Sequence, residues 1–134
     1  MKILAIISLL TLALNVQAGD SAKGKTLYKT INCAQCHGKD GLGKASRAKK
    51  DSKKYKKGDW KLNPVKGPQI ANLDAAYIVE QLEAVKSGAR KTKYTSSMKA
   101  KIKKYSKADY EDLAAYISKD LNPKAKKIKG MLQK

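Results

Sequence analysis

The stretch Cys33-Ala34-Gln35-Cys36-His37 constrains this chain of 134 residues more than any other. Two cysteines three apart, with a histidine directly after the second, form the attachment signature of a c-type haem. Residues three and four apart on a helical turn share a face, which puts Cys33 on the same side as Cys36 and His37. Thiols so placed can bond the two vinyl groups on one edge of a porphyrin, and the imidazole beside them can reach its iron. Other uses of the motif fit less well. A zinc site wants four ligands, usually Cys or His, and the chain holds two cysteines and one histidine. A redox dithiol wants a βαβ setting, and no strand pattern surrounds the motif. A structural disulfide suits an oxidising compartment but gives His37 no role.

Met1 to Ala18 reads as a cleavable signal peptide. Lys2 gives the positive start, the stretch from Ile3 to Leu14 is almost wholly apolar, and Val16-Gln17-Ala18 is a small-residue cleavage site. The apolar run is shorter than the roughly 20 residues of a membrane span, so cleavage and a periplasmic location are expected. Export also fits the chemistry, since bacteria attach haem c outside the cytoplasm. The remainder, Gly19 to Lys134, is one domain of ordinary size with a modest core of its own. The absence of Phe and the single Trp60 agree with a core whose largest apolar object is a bound group.

The formal charge is +19, which bears on partners and solubility and says little about fold. In the cytoplasm such a charge would suggest nucleic-acid binding. After export, acidic proteins or an anionic membrane surface are the expected partners, and nucleic acid is not. A solvated lysine coat without a dedicated partner is an equal alternative. A monomer is expected.

Ser21 to Asn32 is expected to be helical, capped by Asp20 or Ser21, with Leu27, Tyr28 and Ile31 as its apolar stripe. Gly24 lies one turn before Tyr28, where a small residue lets another helix approach. Gly38-Lys39-Asp40-Gly41-Leu42-Gly43 is a loop suited to passing close to a ligand. Residues 44–66 form a lysine-rich insertion without an apolar period, read as an exposed excursion and as partly helical over Ala45 to Tyr55. Trp60 is a candidate anchor for its return and a candidate haem contact, since a buried indole N–H needs a partner. Pro68 leaves a free neighbouring carbonyl, and a metal-bound histidine commonly donates its second N–H to such an acceptor. Pro68 is therefore the candidate to orient His37; a plain turn is the alternative.

Leu73 to Lys86 repeats Ile78, Leu82 and Val85 at helical spacing and stops at Gly88. Ala89 to Lys104 is basic and carries Met98 in what reads as a loop. Ser106 to Leu121 opens with a capping-box pattern, Ser106 and Asp109, and shows an apolar stripe at Tyr110, Leu113, Ala114, Ile117 and Leu121. Residues 122–134 form a basic tail with Ile128, Met131 and Leu132. No alternating strand pattern occurs anywhere, so an all-α fold is expected.

His37 is the only histidine, so a second histidine on an iron is excluded. Met98 and Met131 are the candidate thioether ligands, and Met98 is favoured because no apolar period around it assigns it to a core. Lysine ligation stays open in so lysine-rich a chain.

Taken together, the sequence resembles the class I c-type cytochromes, especially small bacterial periplasmic monohaem electron carriers. The resemblance rests on Gly24-x-x-x-Tyr28, Cys33 to Gly38, Gly41-x-Gly43, Pro68-Gln69-Ile70-Ala71, Tyr77 with Gln81-Leu82, Ser87-Gly88-x-Arg90, Met98, and Asp109 to Ile117 with Ala115-Tyr116. It implies a cytochrome c-like fold over residues 19–121, around one covalent haem c carried by Cys33 and Cys36. It also implies His37 and Met98 as iron ligands, Pro68 orienting His37, and terminal helices crossing at Gly24 and Tyr116. The implied activity is one-electron transfer with acidic redox partners, not enzymatic turnover. The alternative is a haem enzyme or a gas or redox sensor with a displaceable sixth ligand. The residues 44–66, the tail, and the absence of a Pro-containing setting around Met98 depart from the family pattern.

Overall fold

The computed structural model describes residues 18–45, 65–92 and 94–127. The expected signal peptide (but for Ala18), most of the lysine-rich insertion with Trp60, and the tail residues Ile128, Met131 and Leu132 lie outside the described residues. The fold is all-α. In chain order it comprises α1 (Ser21–Thr30), α2 (Ala34–His37), α3 (Ala75–Ser87), α4 (Thr95–Ile102) and α5 (Lys107–Ala115), which runs on into a π-helical turn, Tyr116–Asp120.

Each helix starts for a local reason. Asp20 caps α1, its carboxylate accepting from the N–H groups of Ala22 and Lys23. Asp74 caps α3 by accepting from Tyr77 N–H. Ser106 and Asp109 complete a reciprocal capping box on α5, satisfying donors that the first helical turn leaves unpaired. At the far end of α3, Gly88 turns left-handed at φ 87° and its N–H reaches back to Ala84 and Val85.

The core lies between α1, α3 and α5. Tyr28, Ile31, Ile78, Leu82, Val85, Tyr110, Leu113, Ala114 and Ile117 are buried there, joined by Leu73 and Ile102. Gly24 permits the central contact, since a β-carbon on it would lie 2.0 Å from the Asp112 carbonyl oxygen. The α1 backbone therefore rests directly on α5, and one turn later Tyr28 meets Tyr116 edge-on at 5.7 Å between ring centroids. Asp112, largely buried, accepts from Asp20 N–H at 2.7 Å and pairs with Lys23 at 3.2 Å. This ties the start of α1 to the middle of α5.

Three sequence expectations need correction. Met98 lies not in a loop but in α4, a helix whose run Thr-Ser-Ser-Met-Lys-Ala-Lys-Ile buries only Ile102 fully. So short an apolar contact leaves no period for pattern reading to find. Ala45 is not helical: Lys44–Ala45 pairs antiparallel with Val65–Gly67, with an irregular register, in a miniature ladder that closes the insertion at its base. The last helix does not run unbroken to Leu121. Its ladder widens into the π turn at Tyr116, as Leu121 N–H bonds back to the Tyr116 carbonyl at 2.9 Å.

Candidate haem-attachment site

The five-residue motif folds as a single helical turn. Asn32 takes a left-handed φ of 60°, which asparagine tolerates better than most residues, and this reverses the chain out of α1. Cys33 N–H then bonds the Tyr28 carbonyl, and the Cys33 carbonyl accepts from both Cys36 N–H (3.2 Å) and His37 N–H (2.9 Å). The helical register thus places the side chains at 33, 36 and 37 on one side. Cys33 and Cys36 are both unpaired thiols and half-buried. Burial pushes the Cys33 thiol up to about 12, and the positive charge of Lys101 pulls in the opposite direction. A buried neutral thiol is inert until its surroundings change.

His37 is buried, with 8% of its surface exposed. Its Nδ1 lies 2.8 Å from the Pro68 carbonyl oxygen, an acceptor that fixes the proton on Nδ1 and leaves Nε2 with its lone pair. No described residue hydrogen-bonds Nε2. Burial lowers the pKa of the imidazole, the Pro68 bond opposes that, and the nearby Arg90 guanidinium adds to the lowering. The ring is therefore held neutral, the form that ligates a metal.

Two loops hold this arrangement. The 38–43 loop curls back so that Gly43 N–H bonds the His37 carbonyl at 2.8 Å, and Tyr28 Oη donates to the Gly38 carbonyl at 2.7 Å. The 67–72 segment passes beneath the motif. A β-carbon on Gly67 would lie 2.3 Å from the Cys36 carbonyl oxygen, so only glycine lets Pro68 reach His37 here.

The donor set suits a haem. Two free thiols share one helical turn with a buried imidazole whose Nε2 has no hydrogen-bond partner among the described residues, and a buried polar group so placed calls for a partner. Met98 is half-buried on α4 and packs against the same core cluster as Cys33, Ala34 and Ile70. Trp60 and Met131 lie outside the described residues.

Several contributions were not read from sequence. Tyr28 is more than core filling, because its hydroxyl anchors the loop after His37. Gln69 is buried, and its amide donates to the Ala71 and Lys126 carbonyls. Arg90 donates to the Gln81 side chain. Gln69, Gln81 and Arg90 entered the sequence reading only as positions shared with the family, without these bonding roles.

The family model described as Cytochrome c matches residues 21–119 of the chain, which takes in the motif, both loops and α1 to α5. Among curated proteins none matches.

Proposed function

Since the chain belongs to the cytochrome c family, whose members bind haem c covalently and transfer electrons through it, we propose that it is a periplasmic carrier of single electrons. Bound haem c supplies the chemistry, exchange of one electron between ferrous and ferric iron.

Each residue then has a role in this reading. Cys33 and Cys36 provide the thioether links. His37 presents Nε2 to the iron, and the Pro68 carbonyl fixes its tautomer and orientation. Met98 provides the sixth ligand, a soft thioether that favours the reduced state. Were His37 and Met98 both to hold the iron, no open position would remain for a substrate, which favours a carrier over an enzyme. The observation that carries the reading is the 2.8 Å Nδ1 contact of His37 with Pro68. It frees the second nitrogen of a buried ring next to two unpaired thiols.

The periplasmic assignment draws on the sequence of residues 1–18. Among the described residues, no helix is long and apolar enough to cross a membrane. Partners would be acidic redox proteins. Lys99, Lys101, Lys103 and Lys104 are exposed at α4 and its end, and of these the Lys101 charge is felt at Cys33, which makes α4 the candidate docking face. An anionic membrane surface would be drawn by the same charge.

Optical spectra of the purified protein test the reading. Sharp reduced bands, a c-type pyridine spectrum and a weak sulfur-to-iron band in the oxidised form are expected. That band should vanish in Met98→Ala and survive Met131→Ala. A high-spin spectrum that binds carbon monoxide on reduction would instead assign a haem enzyme or sensor.

A further inference from the structure

We propose that residues 121–127 act as a strap that holds the Pro68 carbonyl in place against His37. The inference rests on His37 being the haem ligand, and it assigns a positioning role to Gln69, Asn72 and Asn122.

The segment lies past the end of the family match at residue 119. It has no helix or strand of its own, yet it is fixed to both loops beside the motif. On the 38–43 side, Leu121 packs so tightly over Gly41 that a β-carbon there would lie 2.5 Å from Leu121 Cδ2. Asn122 Nδ2 donates to the Asp40 carbonyl at 3.2 Å. On the 67–72 side the bonds run the other way. Gln69 Nε2 donates to the Lys126 carbonyl at 3.0 Å, and Asn72 Nδ2 donates to the Ala125 carbonyl at 2.7 Å. Ala125 itself is buried.

Gln69 directly follows Pro68 in sequence. Its amide is buried, and it has strap and loop carbonyls as acceptors. Moving the Pro68 carbonyl away from His37 would drag Gln69 and leave buried polar groups unpaired, which is unfavourable. The two loops also meet each other, with Ile70 N–H bonding the Gly41 carbonyl at 2.8 Å. Loops and strap therefore form one hydrogen-bonded layer, and the His37–Pro68 contact is at its centre. Ordinary tail packing would stabilise the fold without acting on His37 in particular, and this difference is measurable.

The test uses the haem-loaded full chain with 15N-labelled histidine. His37 is the only histidine, so one Nδ1–H resonance reports the contact, and its hydrogen-exchange rate reports opening. Three variants remove the strap's bonds. Gln69→Leu deletes one donor. Asn72→Gly deletes the other while still allowing the positive φ of 58° at that position. Deletion of 122–134 removes the strap and keeps Leu121. Each should speed Nδ1–H exchange by about tenfold or more, the size expected for loss of a buried hydrogen bond. Ser106→Ala, which removes the remote α5 cap, should lower the melting temperature and leave the exchange rate within about twofold. Unchanged exchange in the three variants despite lower melting temperatures would overturn the strap, as would equal acceleration by Ser106→Ala. Failure of the parent reading looks different: the unaltered protein would carry no covalent haem.

Discussion

Gly24 of α1 lies directly against the Asp112 carbonyl of α5, with room for no side-chain atom between the two backbones. Tyr116 Cβ also crowds that point, 2.8 Å from where a β-carbon would stand. Gly24→Ala must therefore separate the helices, and overpacking of this kind costs about 1–3 kcal/mol. Chemical denaturation should show a lower midpoint with an unchanged slope. A midpoint equal to that of the unaltered protein would reject the close approach.

Tyr28→Phe keeps the edge-on contact with Tyr116 and deletes one hydroxyl. The Gly38 carbonyl then loses one of its two donors in a buried setting and keeps the Gly41 N–H, at about 0.5–1.5 kcal/mol. The loop after His37 should also loosen, visible as faster amide exchange at Gly43, whose N–H bonds the His37 carbonyl. Loss of stability without that local change would detach Tyr28 from the site.

Stability should depend on pH through Asp109. Hydrogen bonds from Ser106, backbone first and hydroxyl second, hold its carboxyl below the usual range. A carboxyl depressed in the folded state stabilises above its unfolded value, about 3.9, and that stabilisation is lost as pH falls through the folded value. The unaltered protein should therefore exceed Asp109→Ala in melting temperature by a constant amount above about pH 5. The gap should narrow steadily below about pH 4. A gap independent of pH would place the benefit elsewhere in the cap.

Electron transfer to an acidic partner should slow as salt rises, because the screening length is about 10 Å at 0.1 M. Reversing Lys99, Lys101, Lys103 and Lys104 to Glu should lower the second-order rate and flatten its salt dependence. An unchanged slope in stopped-flow measurements would move the docking surface away from α4.

The sequence made legible whatever has a repeating period or a local chemical reason. The stripe at Ile78, Leu82 and Val85 marked α3, Ser106 with Asp109 marked the start of α5, and Gly24 marked a close helix contact. The cysteine spacing likewise announced one helical turn. What stayed hidden depends on distant partners. α4 contributes only Ile102 as a fully buried residue, so Met98 carried no period to place it on a helix. The ladder of Lys44–Ala45 with Val65–Gly67 is too short for alternation to be seen. The Lys126 and Ala125 carbonyls that accept from Gln69 and Asn72 sit more than fifty residues away, and no local pattern announces such a bond.

The bond from Asp20 N–H to Asp112 joins positions 92 apart in sequence, and this bears on when the domain can assemble. An isolated helix of ten residues, the length of α1, is marginal in water. Closing so long a loop carries an entropic cost before any contact offsets it. As the chain is synthesised from its N-terminus, α1 therefore waits for α5 before it can persist. Throughout that interval the Cys33–His37 turn is not yet walled in by its neighbours, and both thiols are open to chemical modification. The end of the domain thus completes its beginning: α1 and the turn that follows it are held in place only once α5 has arrived.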